Sequence, residues 1–195
     1  MMEVFDLPQK SEEWFAARRG VPTASNFATI LASGDGRRTL LYKLAGERKT
    51  EETATSFTND AMERGNEMEA EARSWYALTQ NVEPALIGFI KNGKCGGSPD
   101  ALIGADGILE IKTAEPHILI PMLESGKFPN KHYAQCQGNL MVSERQWCDL
   151  LVYWPKMPKL LVRCERDEMY IDALRDAIDV FDLDLRRLVT KLKTM

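Results

Sequence analysis

Histidine is nearly missing from this sequence: His117 and His132 are the only two in 195 residues. The four cysteines, Cys95, Cys136, Cys148 and Cys164, form no CxxC and no Cys/His pairing, so neither a zinc site nor a disulfide framework finds support in the spacing. No stretch approaches the roughly 18 consecutive apolar residues of a membrane span. The start, MMEVFDLPQKSEE, has no basic segment leading into an apolar block, and the expected location is therefore the cytoplasm. An excess of basic charge is lacking too: 25 Lys and Arg face 29 Asp and Glu, a net charge of −4. That balance speaks against a phosphate-rich partner, unless the acids gather around a cation while bases line another face. No internal repeat or low-complexity tract is visible.

What remains is an ordinary globular composition, 44% hydrophobic and 28% charged, long enough to bury one core and too short for two comfortable ones. We expect a single domain, residues 1–195, of α/β class (α+β type) with a central mixed sheet flanked by helices. Ser11 is placed to cap a short helix through EEWFAAR, ended by Gly20-Val21-Pro22. Thr23 to Asn26 offer caps for a second helix through FATILA. SGDGRR, residues 33–38, reads as a loop, either an ordinary turn or a contact for nucleic-acid backbone.

From Asp60 to Gln80 propensity predicts a long helix. Met62, Gly65, Glu69, Ala72 and Tyr76 share one face, so Glu69 lies on a mainly apolar stripe; taken alone, that placement reads as a solvated or snorkelling acid. Pro84 to Ile90 reads as a strand followed by a turn at Lys91-Asn92-Gly93, and 130–141 as a helix. Strands are predicted at 147–154 and 159–164. The last segment, from Asp167, is a helix whose seam of Ile171, Leu174, Ile178, Phe181, Leu185, Leu188 and Leu192 either packs within the subunit or joins subunits. Packing at home is favoured, because an open sheet face must be covered.

The stretch SPDALIGADGILEIK, residues 98–112, carries charges that a plain core hairpin does not need. On a strand Glu110 and Lys112 share a face, roughly 7 Å apart along the backbone. If Ala105-Asp106-Gly107 forms a three-residue loop with Gly107 in the left-handed position, Gly104 pairs with Ile108 and Asp100 with Lys112, and all three charges share one face. Two carboxylates and an ammonium together suit a hard cation such as Mg²⁺. The lysine is then free to hold a water or to stabilise a phosphoryl oxygen. Phosphodiester hydrolysis needs these parts together. An exposed hairpin with a surface Glu/Lys pair is the plain alternative.

Asp100 followed by Glu110-Ile111-Lys112 resembles the PD-(D/E)xK nuclease superfamily. RRGVPTAS (18–25), GNEMEAEAR (65–73), YAQCQGNLMV (133–142) and ERDEMY (165–170), in this order, resemble the phage lambda exonuclease-like alkaline exonucleases of viral recombination over nearly the whole chain. The resemblance implies a restriction-endonuclease-like core and a Mg²⁺-dependent 5′ to 3′ exonuclease that digests one strand of duplex DNA to mononucleotides, two ions acting and Mn²⁺ able to substitute. It implies Asp100, Glu110, the Ile111 carbonyl and Glu69 as metal-site groups, which reverses the solvated reading of Glu69, and Lys112 as the residue serving the attacking water. Arg18, Ser25, Ser98 and Gln137, with Gln135 beside it, are implied at a terminal 5′-phosphate, Arg19 competing with Arg18 for the role. A homotrimeric ring, a single-strand annealing partner and a phage or prophage origin in a bacterial host are implied as well. An endonuclease of the same superfamily, or a DNA-binding protein with a decayed site, would be the alternatives; the presence of all three acids, Asp100, Glu110 and Glu69, and of Lys112 speaks against the last. His117 and His132 match no catalytic position and read as structural or surface groups.

Overall fold

Two apolar runs, Gly107–Thr113 and Trp147–Tyr153, lie side by side in parallel, and parallel neighbours require a crossover on the face of the sheet. The computed structural model describes residues 1–53 and 60–195, and the side chains of 1–53 and 67–195. Its strands are β1 Met2–Phe5, β2 Phe89–Asn92, β3 Cys95–Gly97, β4 Ala101–Ile103, β5 Gly107–Thr113, β6 Trp147–Tyr153 and β7 Leu160–Glu165. Its helices are α1 Glu12–Arg18, α2 Phe27–Leu31, α3 Asp35–Thr50, α4 Asp60–Gln80, α5 Pro116–Ser125, α6 Asn130–Ser143 and α7 Glu168–Lys193. The crossover between β5 and β6 is made by α5 and α6.

A mixed four-stranded sheet, β4-β5-β6-β7, forms the centre, with only the β5–β6 pair parallel. A second, antiparallel sheet, β1-β2-β3, was not foreseen. Its strands are short; β1 is largely exposed and β3 is Cys-Gly-Gly, so neither shows the apolar alternation that marks a strand in sequence. β2 begins at Phe89, later than expected, and the turn falls on Gly93-Lys94 because Asn92 still pairs with Met2 and Cys95.

Ser11 caps α1 by accepting from the Trp14 amide at 3.2 Å. Thr23 precedes a 3₁₀ turn over Ala24–Asn26 that leads into α2. The segment 33–38 is not a loop throughout: α3 starts at Asp35 and buries Leu40, Leu44 and Ala45. That apolar face meets α7, whose seam from Ile171 to Leu185 is buried among α2, α3, Ile90 and Cys95. The seam therefore packs within the chain, mostly on helices. In α4, Ala72 and Tyr76 are buried as the stripe required, while the Met62 and Gly65 side chains lie outside the described residues. Among the described residues no helix is long and apolar enough to cross a membrane.

Candidate active site

The hairpin expected from residues 98–112 forms, with a different register. Ile103 pairs with Gly107, Leu102 with Ile108 and Ala101 with Leu109, so Gly104-Ala105-Asp106 is the connection and Gly104, at φ 52°, takes the left-handed position. Gly107 stays in the strand because the Trp147 indole lies against it: a Cβ there would come within 2.1 Å of the ring. Asp100 consequently falls beside Glu110 and not opposite Lys112. The shift moves the pairing by two positions, and an even number keeps the side chains on their face; Asp100, Glu110 and Lys112 do line one cavity.

Glu110 is 1% exposed. Its Oε1 accepts from Lys112 Nζ at 2.6 Å and from Gln135 Nε2, and its Oε2 accepts from Asn139 Nδ2 at 2.9 Å. Both oxygens are thereby oriented from α6 and from the strand itself. Asp100 Oδ2 accepts from the Ile111 amide at 2.5 Å. Burial, then Glu110, then Glu69 push the Asp100 carboxyl well above the usual range, against Lys112. For Lys112, burial opposes the charge, but Glu110 and Asp100 outweigh it and hold the ammonium above its ordinary value.

Glu69 reaches the site from α4. It pairs with Arg73 at 2.7 Å and with Lys10 at 3.9 Å, and it shares with Asp100 a second cavity of about 510 Å³ beside Leu7, Pro8 and Gln9. Asp100 thus stands in the wall between the two cavities. The helix bearing Glu69 is fastened to the sheet by Tyr76 Oη donating to Asp149 at 2.6 Å and Tyr153 Oη donating to Glu71 at 2.8 Å. Three carboxylates, one just before β4, one on β5 and one on α4, with Asp100 made hard to ionise by burial and then by the other two, form a donor set that fits a hard divalent cation.

On the other wall of the first cavity, about 150 Å³ in volume, stand Arg18, Ser25, Ser98 and Gln135. Arg18 Nη1 donates to Ser98 Oγ at 2.7 Å, and its guanidinium lies 4.0 Å from the Trp14 ring centre. Trp14 is fixed in turn by donating to the Gly88 carbonyl at 2.9 Å. Burial pushes Arg18 down to about 10, only partly countered by Glu47, and an anion in the cavity would relieve that. Arg19 does not line this cavity and points to Thr53, at 3.4 Å.

Gln137 is the expected site residue that the fold takes elsewhere. It is fully buried, its Nε2 donates to the Glu165 carbonyl at 2.7 Å and its Oε1 accepts from the Asp167 amide at 3.0 Å. With both ends of the amide engaged, it braces α6 against the entry to α7, and Gln135 is the glutamine that faces the cavity. Asn139 and Trp14 were missed; no spacing rule marks them, since Asn139 matters only once α6 crosses β5 and Gly97 makes room, a Cβ there lying 2.4 Å from Asn139 Oδ1.

His132, on the first turn of α6, is lowered from its ordinary 6.5 to about 4 by burial, by Lys112 and by Lys131. A base with a depressed folded value binds fewer protons than the unfolded chain between these two values, so stability falls as pH drops from about 6.5 to about 4. The His132→Gln variant is expected to show a flatter melting-temperature profile over that interval; parallel profiles would remove His132 from the account of acid sensitivity.

A buried carboxylate pair and lysine on a mixed sheet, with a third acid supplied by a helix, suit the hydrolysis of a phosphodiester beside a divalent cation. The chain belongs to the YqaJ-like viral recombinase domain family, whose profile matches residues 13–146. It is similar to the crystal structure of an alkaline exonuclease from Laribacter hongkongensis, with TM-score 0.88 and 31% identity over 94% of this chain and 97% of that one. The same enzyme in complex with dAMP gives the same figures. A phage-related exonuclease from Haemophilus somnus 129PT shares the fold, with TM-score 0.71 and 15% identity over 88% and 96% of the two chains. No curated protein matches the sequence significantly.

Proposed function

We propose that the protein is a divalent-metal-dependent deoxyribonuclease that degrades one strand of duplex DNA from its 5′ end to 5′-mononucleotides. The 3′ single-stranded tail that remains would be the substrate of a single-strand annealing protein. Family membership and the likeness to an alkaline exonuclease support a DNA exonuclease. One observation carries the finer reading: Arg18, Ser25 and Ser98 open onto the same cavity as Asp100, Glu110 and Lys112. A terminal phosphate held by the first group would bring the adjacent phosphodiester to the second.

Asp100, Glu110, Glu69 and the Ile111 carbonyl would hold Mg²⁺, as two ions in our reading, with Mn²⁺ able to substitute. A bound divalent ion supplies charge neutralisation at the phosphoryl oxygens and a more acidic water. Glu110 and Asp100 favour the ammonium form of Lys112, which suits the part of a donor, fixing the attacking water or stabilising charge that develops on the phosphoryl group. Gln135 and Asn139 keep Glu110 from rotating. Arg18 has a planar fork suited to the several oxygens of a phosphate monoester, and the Trp14 face limits where that fork can turn. A homotrimeric ring around DNA would make digestion processive and would let basic residues face the nucleic acid despite a net charge of −4.

The test is digestion with Mg²⁺ of linear duplex DNA carrying 5′-phosphate or 5′-hydroxyl ends, beside a closed circle. Mononucleotides from the phosphorylated linear DNA, slower attack on hydroxyl ends and an intact circle are expected; a cut circle would replace the reading with an endonuclease. The Arg18→Ala variant should lower the rate ratio of phosphate to hydroxyl ends toward one, losing about 2 kcal/mol of charge-assisted binding. An unchanged ratio would place the end pocket elsewhere.

A further inference from the structure

Sequence spacing separates Cys136, Cys148 and Cys164, and the fold reunites them. Cys148 and Cys164 are direct partners across the antiparallel β6–β7 pair, and α6 lays Cys136 over them. The three Sγ atoms all lie within 4.8 Å of one another. For any such triangle, some point lies within about 2.8 Å of all three sulfurs, against a metal–thiolate bond of about 2.3 Å. Small side-chain adjustments are therefore enough to close a coordination sphere. All three thiols are buried, inside a cluster with Ile108, Leu140, Leu150 and Val152.

The chemistry of the group narrows what it could take. Among the described residues no histidine or carboxylate joins the three sulfurs, whereas a structural zinc site closes with four ligands. Apolar walls leave little to hydrate a fourth position. Three soft sulfurs in a dry setting suit an ion that accepts trigonal thiolate coordination; thiolates suit Cu(I), zinc and iron–sulfur clusters, and of these Cu(I) fits a site with no fourth ligand. Cys164, which keeps a little exposure at 8%, is pushed toward the thiolate by hydrogen bonds from Cys136 and Cys148, while burial pushes Cys148 the other way. The group thus offers one sulfur already inclined to lose its proton, on the side nearest solvent.

We propose that Cys136, Cys148 and Cys164 form a three-sulfur site for a soft, thiophilic cation, with Cu(I) as the fitting ion, behind the helix that orients Glu110. On binding, Cu–S bonds form, each thiol that becomes a thiolate releases its proton to the solvent, and no electron is transferred. The position gives the site a consequence. Cys136 lies between Gln135, which holds Glu110, and Gln137, which braces α7. An ion here would tie α6 to β6 and β7 directly under the catalytic carboxylate.

The test is an anaerobic titration of the fully reduced chain with Cu(I) delivered from a colorimetric chelator. Wild type and Cys95→Ser are expected to withdraw one equivalent, with ultraviolet thiolate-to-copper absorption, a raised melting temperature and three sulfur neighbours by X-ray absorption. Cys164→Ser and Cys136→Ala should each lose about a hundredfold or more in affinity, with far-ultraviolet circular dichroism and Mg²⁺-dependent nuclease activity retained. No copper withdrawn by wild type, copper lost with Cys95→Ser, or fewer than three sulfurs around the ion would overturn the proposal without recourse to the buried variants. Undiminished binding in Cys164→Ser and Cys136→Ala would do the same. The copper titration, the absorption, the melting temperature and the sulfur count do not depend on the nuclease reading.

Discussion

Replacing Lys112 with alanine is expected to reduce cleavage by about a thousandfold or more while leaving duplex DNA binding in Ca²⁺ near the wild-type level. A positioned donor or general acid–base group contributes about 10² to 10⁴ in rate, and Lys112 is the described basic group bonded to Glu110 inside the acid cluster. The variant also removes the ammonium that offsets Glu110 and Asp100, so metal-free protein should melt lower than wild type, and Ca²⁺ should close most of that gap. The two readouts separate chemistry from folding. Cleavage within tenfold of wild type would deny Lys112 its role, and loss of DNA binding in Ca²⁺ by a folded variant would make the lysine a binding residue.

The second large effect concerns Asp100. A carboxyl whose folded value lies above its unfolded value binds more protons when folded, so stability declines as pH rises past the unfolded value. At neutral pH Asp100 therefore costs stability, because burial and the neighbouring Glu110 and Glu69 oppose its charge. The Asp100→Asn variant keeps an oxygen for the Ile111 amide and removes the charge. Without divalent ions it should melt at or above the wild-type temperature; with Mg²⁺ or Mn²⁺ it should lose the stabilisation that wild type gains by binding, together with cleavage. A variant that melts several degrees lower without metal would show that the carboxylate is held by something other than a cation, and retained metal stabilisation would move the ion away from Asp100.

Much of this site was legible in the sequence because its chemistry is local. Glu110 and Lys112 share a face through the two-residue period of a strand, and Ser11 announces α1 through a cap three residues from the amide that it accepts. The register of the hairpin was not legible, because Gly104 and Gly107 are equally able to take a left-handed position and the choice is made by Trp147, forty residues away in the chain. The helix α3 was hidden behind a Gly-Asp-Gly-Arg-Arg start that reads as a loop; Leu40, Leu44 and Ala45 become a helical face once α7 lies against them. Gln137 and Gln135 differ by two positions on one helix, and which of them meets the cavity depends on how α6 is rolled on β5. The same rolling places Asn139 on Glu110 and Cys136 on the other two cysteines.

The parallel pairing of β5 with β6 also sets when the protein can become active during its own synthesis. Until α6 is made, Glu110 lacks the two side-chain amides that orient it, and until β6 follows, β5 has a neighbour on one side only. Tyr153 leaves the ribosome forty residues after Thr113, a wait of about 2 to 8 seconds at about 5 to 20 residues per second. Gln137 then needs Glu165 and Asp167 before α6 is braced. A nascent chain that already carries Glu69, Asp100, Glu110 and Lys112 thus holds an unassembled site until α6, β6 and the start of α7 have followed.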